Sequence, residues 1–230
     1  MLKTLKFKGK ESDFWLTSDT HFRHDKNFIY EKRGYQSIDD HDNKIIKKWN
    51  EKINNTESIV FHLGDFIFKD SDGSYFIEYV RRLAFHKLYL LFGNHNSGQR
   101  QIYIKFLKEN FPNAYHEVSG NLEYEVYPLE IKIDYREVIF LPSYVNIQIN
   151  NDPVVLCHYP IMSFCGDGAG AYHLSGHSHG NNPHTNKLTG LGRRLDVGID
   201  SFDAPINFAE VKKILAMRDI HSFDHHGTRP

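Results

Sequence analysis

Residues 14–21 read Phe14-Trp15-Leu16-Thr17-Ser18-Asp19-Thr20-His21. An apolar run of strand length, rich in aromatic residues, stops on a carboxylate followed closely by an imidazole. The same arrangement recurs along the chain. Ile59 to Leu63 runs into Gly64-Asp65, and Lys87 to Phe92 runs into Gly93-Asn94-His95. Val154 to Cys157 runs into His158, and Tyr172 to Leu174 into Ser175-Gly176-His177-Ser178-His179. Helical spacing fills the early gaps: Asp39 to Ile53 puts Ile45, Ile46, Trp49 and Ile53 on one face, and Gly98 to Phe111 does so with Ile102, Phe106 and Leu107. A shorter helix is expected over Ser74 to Leu83. Strand alternating with helix predicts a mostly parallel sheet with helices packed on it. In such a sheet the carboxyl ends of neighbouring strands meet on one rim, so clusters far apart in sequence are expected to converge there.

Beyond this half the pattern changes. From Asn121 to Ile149 strands follow one another closely, with another apolar run at Val138 to Leu141 and alternation through Leu129, Ile131 and Ile133. This stretch predicts a second sheet, packed face to face on the first in one sandwich. Helical spacing resumes over Asn207 to Met217. The expectation is a single domain over residues 1–218 and a poorly ordered tail over 219–230, where apolar content falls away.

Composition bounds the function. The 230 residues carry a hydrophobic share of 40%, enough for one sizeable core, and a formal net charge of -1, which offers no broad basic face for extended nucleic acid. No apolar stretch has the length of a signal peptide or a membrane span, so a cytoplasmic protein without a membrane partner is the expectation. Cys157 and Cys165 lack the spacing of a thiolate metal site and are expected as buried free thiols. Histidine is the anomaly, at 15 residues, most of them in short polar clusters.

A lone histidine at a strand end is ordinarily a hydrogen-bonded polar residue. The ordered set of clusters, each after its own apolar run, is what points to a metal site. Carboxylate, imidazole and carboxamide oxygen are donors for divalent first-row metals, and Mn, Fe, Zn or Ni would fit. Two cations about 3.5–4 Å apart need a bridging anion, a role suited to the solitary Asp65. Gly64, Gly93 and Gly176 suit sharp turns or close backbone approach where the strands stop.

Taken in order, Asp19-x-His21, Gly64-Asp65, Gly93-Asn94-His95, His158 and Gly176-His177-x-His179 resemble the motifs of the calcineurin-like metallophosphoesterase superfamily, over about residues 13–200. Small bacterial and phage members are the nearest in form. The resemblance implies an α/β fold, a four-layer αββα sandwich of two mixed β-sheets flanked by helices. It implies two divalent metal ions, manganese first among them: Asp19, His21 and His179 hold one, Asn94, His158 and His177 the other, and Asp65 bridges. It implies hydrolysis of a small phosphate ester or nucleotide, diester or monoester, by a metal-bridging hydroxide, with His95 as proton donor to the leaving group.

The chain departs from the family pattern at Asn96, where the usual Asp is thought to orient the catalytic His. Asn can still accept a hydrogen bond from imidazole, so orientation is expected to survive with weaker stabilisation of the cationic form. The Arg-bearing extension of protein phosphatases is absent after Gly64-Asp65, which reads Phe66-Ile67-Phe68-Lys69. Two alternatives stand beside the main reading: a superfamily nuclease acting on short nucleic acid, and a non-catalytic interaction scaffold on the same fold. His24 is close enough in sequence to reach a phosphate or leaving group but equally fits a plain loop residue, and Arg23 and Arg33 could contact phosphate oxygens, although an exposed Arg is more often simply solvated. Asp196 and Asp200 are either partners of metal-bound imidazoles or turn residues. His62 is expected as a hydrogen-bonded core residue, and Gly166 to Ala171 as a flexible loop at the mouth of the site.

Overall fold

A computed structural model of the chain describes residues 4–55, 57–96, 98–112, 115–117, 129–133 and 136–223. Its strands are Leu5–Phe7 (β1), Phe14–Thr17 (β2), Ile59–His62 (β3), Lys87–Leu90 (β4), Tyr115–Glu117 (β5), Leu129–Ile133 (β6), Arg136–Phe140 (β7), Tyr144–Ile149 (β8), Asp152–Cys157 (β9), Tyr172–Ser175 (β10), Arg194–Asp196 (β11) and Ile206–Asn207 (β12). Its helices are Asn27–Tyr30 (α1), Ile38–Lys52 (α2), Ser74–Arg82 (α3), Gln99–Asn110 (α4), Ile199–Phe202 (α5) and Phe208–Leu215 (α6). One sheet has the order β12-β2-β3-β4-β7-β6-β5 and the other β1-β8-β9-β10-β11.

Alternation along each central strand builds the layers, because successive side chains point to opposite faces. Trp15, Val60, Leu88, Leu90, Val138 and Phe140 face a core shared with Ile45 and Trp49 of α2, Phe76 and Val80 of α3, and Tyr103 and Leu107 of α4. Phe14, Leu16, Phe61, Ile139, Ile147, Val154, Leu156 and Leu174 face the opposite way, into the core between the two sheets, where α6 adds Phe208 and Val211. The α2 helix starts where Ser37 accepts a hydrogen bond from the Asp40 amide, with Asp39 and Asp40 in the first turn and Lys52 in the last. It is pinned by Trp49 Nε1 donating to the Ala84 carbonyl at 2.8 Å. No helix of the described residues is long and apolar enough to cross a membrane.

The expected second sheet over 121–149 is corrected in one respect. β7 lies parallel beside β4 and antiparallel to β6, so the first sheet continues through Phe140, and the change of sheet comes between β7 and β8. The reason is burial on both faces. β7 presents Val138 and Phe140 to the helices and Ile139 to the inter-sheet core, and the position beside β4 covers both. Residues 121–128 of the expected stretch lie outside the described residues, as do residues 224–230 of the expected tail. Within 219–223, the His221 carbonyl accepts from Arg194 and Ser222 donates to Asp167. Cys157 is buried as expected, but Cys165 is exposed; both are free.

The loop from Gly166 to Ala171 is also corrected. It forms a 3-10 turn at Asp167–Ala169, tied down by Arg193 Nη1 donating to the Gly170 carbonyl at 2.7 Å and by Asp167 facing Arg194 at 3.6 Å. Ala171 packs with Val155 and Phe164 on the outer face of the second sheet. It enters the amino-terminal end of β10, opposite the end that leads to His177, so it does not border the site.

Two buried histidines set an acid limit on stability. His62 is expected in the core and is fully buried there, with Nε2 at 3.0 Å from Thr20 Oγ1 and Nδ1 facing the Gly64 amide at 3.4 Å. Thr20 gives its own proton to the Phe66 carbonyl, so His62 donates to Thr20 and accepts from Gly64. His173 accepts from the Ile161 amide and faces the Val155 carbonyl. Protonating either ring would set an N–H against an N–H. Burial lowers His62 to about 3 and His173 to about 4. Both folded values lie below the unfolded one, so their contribution is complete above pH ~6.5 and is lost as pH falls through the folded values, on the order of 3 kcal/mol for His173. The urea midpoint of the metal-free protein is expected to drop as pH falls from neutrality towards 4, with a shallower slope in His173→Gln. An equal slope in that variant would refute the assignment.

Candidate metal centre

The loops leaving β2 and β3 run side by side, with the Asp19 amide on the Gly64 carbonyl at 3.0 Å, His21 on Asp65 at 2.9 Å and Phe22 on Phe66 at 3.0 Å. The loops leaving β9 and β10 are joined by the Gly176 amide on the His158 carbonyl at 3.0 Å, and the Ile199 amide reaches back to Ser18 at 3.0 Å. The carboxyl ends of strands from both sheets thus meet on one rim.

Close approach explains the glycines. A Cβ on Gly93 would lie 2.3 Å from Asp65 Oδ1 and 2.7 Å from His158 Nε2, and one on Gly64 would lie 2.6 Å from His158 Nδ1. The polar residues themselves take left-handed backbone: φ is 57° at Asp19, 49° at His21, 54° at Asp65, 67° at His177 and 50° at His179. Such conformations are uncommon for residues with a Cβ and concentrate at functional sites.

The rim brings together the residues singled out from the sequence. One set of possible ligand atoms comes from Asp19, His21 and His179, another from Asp19, Asp65 and His158, the atoms of each set lying within 4.8 Å of one another. Asp65 Oδ2 is 3.7 Å from His21 Nε2 and 3.5 Å from His158 Nε2. Asn94 Oδ1 is 2.9 Å from both His158 Nε2 and His177 Nδ1. His95 gives its amide proton to Asp65 Oδ1 at 3.0 Å, and its exposed ring stands 5.3 Å from that of His21.

Two observations test whether these residues suit a cation. Asp19 Oδ1 and His21 Nε2 are buried without a hydrogen-bond partner, 3.8 Å apart; a buried orphan polar atom is costly unless something else satisfies it. The donors are carboxylate, imidazole and carboxamide, a set matched to divalent metals. Burial pushes the Asp19 carboxyl up to about 7, against the pull of His179 and Ser18, and lowers His21 and His158. A positive charge placed among them would offset the penalty on the Asp19 carboxylate and would meet imidazoles that burial already keeps neutral, the form that ligates a metal. The residues fit.

Supporting bonds set the ring orientations, which sequence spacing left open. His158 Nδ1 donates to the Leu63 carbonyl at 2.9 Å. Asp200 is a partner and not a turn residue, accepting from His179 Nδ1 at 2.6 Å. Burial alone would disfavour charge on His179, but the bond to Asp200 and the charges of Asp19 and Asp200 outweigh it and raise the imidazole. Arg33 does not project freely towards a phosphate. Its Nε and Nη2 grip Asp200 at 2.9 and 2.6 Å, and Nη2 also donates to the Asp19 carbonyl at 2.7 Å. Asp196 accepts from Ser178 Oγ at 2.6 Å and from the Gly180 and Gly198 amides, shaping the His177–His179 loop. Arg23 packs over Tyr75.

His24 is buried, with its Nδ1 hydrogen-bonded to His21 Nδ1 at 3.4 Å and its ring stacked on Phe68. Burial, reinforced by the neighbouring His95 and Arg33, lowers it to about 4, so it is neutral near pH 7. Asn96 departs from expectation: its Oδ1 accepts from the Gly93 amide at 2.7 Å. The carboxamide oxygen closes the turn after β4 and is not given to the His95 ring.

A family model described as calcineurin-like phosphoesterase matches residues 12–227. The fold is also similar to a crystal structure of a protein of unknown function, AQ665 from Aquifex aeolicus, with TM-score 0.56 and 18% identity over 87% of this chain and 98% of that one. None of the curated proteins compared with the chain matches it.

Proposed function

We infer the function from the premise that this chain belongs to the calcineurin-like phosphoesterase family and is, in general terms, a metal-dependent phosphoesterase. The finer reading is a binuclear hydrolase of small phosphate esters or nucleotides, working in the cytoplasm. The observation that carries it is the place of Asp65, whose Oδ2 stands between His21 Nε2 and His158 Nε2 at 3.7 and 3.5 Å. Asp19, His21 and His179 would hold one cation and Asn94, His158 and His177 the other, with Asp65 shared between them.

Two divalent cations bound there, manganese in the first instance, would supply a lowered pKa for water and would offset charge on the phosphoryl oxygens. The chain's own part is orientation and proton transfer. His179 and His158 direct their Nδ1–H to Asp200 and the Leu63 carbonyl, which turns Nε2 inward. His21 gives its Nδ1–H to neutral His24 in the same way. In the reaction the water gives up one proton to solvent and its oxygen bonds to phosphorus as the P–O bond to the leaving group breaks; the leaving oxygen takes a proton from His95, which regains one from solvent. The rings around His95 are those of His21, His24 and Phe68, and Asn96 brings no carboxylate to it. General-acid help is therefore modest, favouring esters with good leaving groups.

The test is to strip the protein, reload it with Mn²⁺, and compare bis-p-nitrophenyl phosphate with p-nitrophenyl phosphate. Turnover of at least one, abolished by chelation, is expected, and the ratio assigns diester or monoester chemistry. Absence of turnover on both with metal bound would overturn the reading in favour of an interaction scaffold.

A further inference from the structure

The wall beside His95 is aromatic, and part of it faces solvent. His24 lies under it, with Phe68 stacked on its ring at 3.6 Å and 10° and Phe28 meeting it edge-on at 5.8 Å and 82°. Phe68 also meets the His95 ring, at 5.7 Å and 61°. Phe28 projects from α1 with 66% of its surface exposed, although the core a few residues away buries Phe22 completely. A large exposed apolar side chain is unremarkable alone. Here it continues a ring surface that leads from solvent to His95. A lysine stands at its edge, with Lys69 Nζ 5.1 Å from the Phe68 ring centroid.

We propose that Phe28 and Phe68 form a ring-binding subsite on the His95 side of the centre, which takes a planar aromatic leaving group, the base of a nucleoside or an aryl ring. The proposal rests on the reading above in one respect, that His95 stands beside the leaving oxygen; a leaving group on that side has to pass the ring wall. Stacking on an aromatic side chain is sequence-tolerant and strong enough to set a preference. Lys69 at its edge suits a ligand that carries further negative charge.

Binding measured without turnover tests it. Manganese-loaded wild type and Phe28→Ala are titrated by calorimetry with phenylphosphonate, methylphosphonate and adenosine monophosphate. Phe28 is exposed, so its removal leaves the core intact. The phenyl compound and the nucleotide are expected to bind wild type on the order of tenfold more tightly than methylphosphonate, and that advantage falls towards unity in the variant. Loss confined to the nucleotide assigns a nucleoside; loss for both assigns any aryl ring. Equal affinity of all three for wild type, an advantage that survives in the variant, or no binding at all overturns the subsite. Silence towards the nitrophenyl esters, with ring preference intact, would instead sink the hydrolase reading and leave Phe28 and Phe68 as a ring-binding surface with no leaving group to hold.

Discussion

Asp65→Asn is expected to lower turnover by more than about a hundredfold, since loss of even an outer partner of a metal ligand costs roughly 10–100-fold, and to leave the isolated protein with less than its full metal complement. Asp65 is buried, with one oxygen on the His95 amide and the other between His21 and His158. Asn matches its shape and can still accept the His95 N–H. What it removes is negative charge from the place between His21 and His158 that the proposed function gives to both cations. Thermal melting of the metal-free variant should stay close to wild type, separating loss of metal from loss of fold. Metal content by mass spectrometry is the decisive measurement, and a variant that keeps both ions and its turnover would show that Asp65 does not bridge.

Gly176→Ala should damage the molecule through packing instead of charge. A Cβ there would lie 2.1 Å from Ser18 Oγ and 2.4 Å from Asp19 Oδ2. Those atoms are hydrogen-bonded to each other at 2.5 Å, and both residues are fully buried, so neither can retreat. Overpacking of this kind costs about 3 kcal/mol, roughly 10 °C of melting temperature in a chain of this size. Relief would have to come from displacing the end of β10 from the buried Ser18–Asp19 pair. Gly98→Ala is the control, because nothing lies within 4 Å of its added Cβ. If the two variants melted alike, the close approach of β10's end to Ser18 and Asp19 would be wrong.

The strands that carry the site were legible because each is covered on both faces and reads as a continuous apolar run, and each run ends on a polar cluster with chemistry of its own. Less was legible at the margins. β1 and β12 are too short to display a period, and β11 reads Arg194-Leu195-Asp196, buried by neighbours far away in sequence and not by its own composition. The division between sheets was misplaced because β6 to β9 are closely spaced whichever sheet they join. The residues that meet on the rim were legible as an ordered list, but the bonds that orient them were not. Arg33 meets Asp200 across 167 positions, and His158 meets Leu63 across 95; no local spacing encodes such pairs. His24 could be weighed only evenly until its bond to His21 and its stack on Phe68 were visible. Asn96 misled because its type allowed a bond to imidazole, whereas the turn after β4 had first claim on its oxygen.

The left-handed backbone at Asp19, His21, Asp65, His177 and His179 bears on how such a chain would drift over generations. Each of these positions gives up about 1–2 kcal/mol relative to a relaxed conformation, a cost that glycine largely escapes. Selection for stability alone would therefore erode the rim towards glycine, beginning at exposed His177, where no buried neighbour would be stranded. A lineage that stopped using its cations would lose its imidazoles first and its fold last, and a sequence in that state would show glycines where this one shows donors.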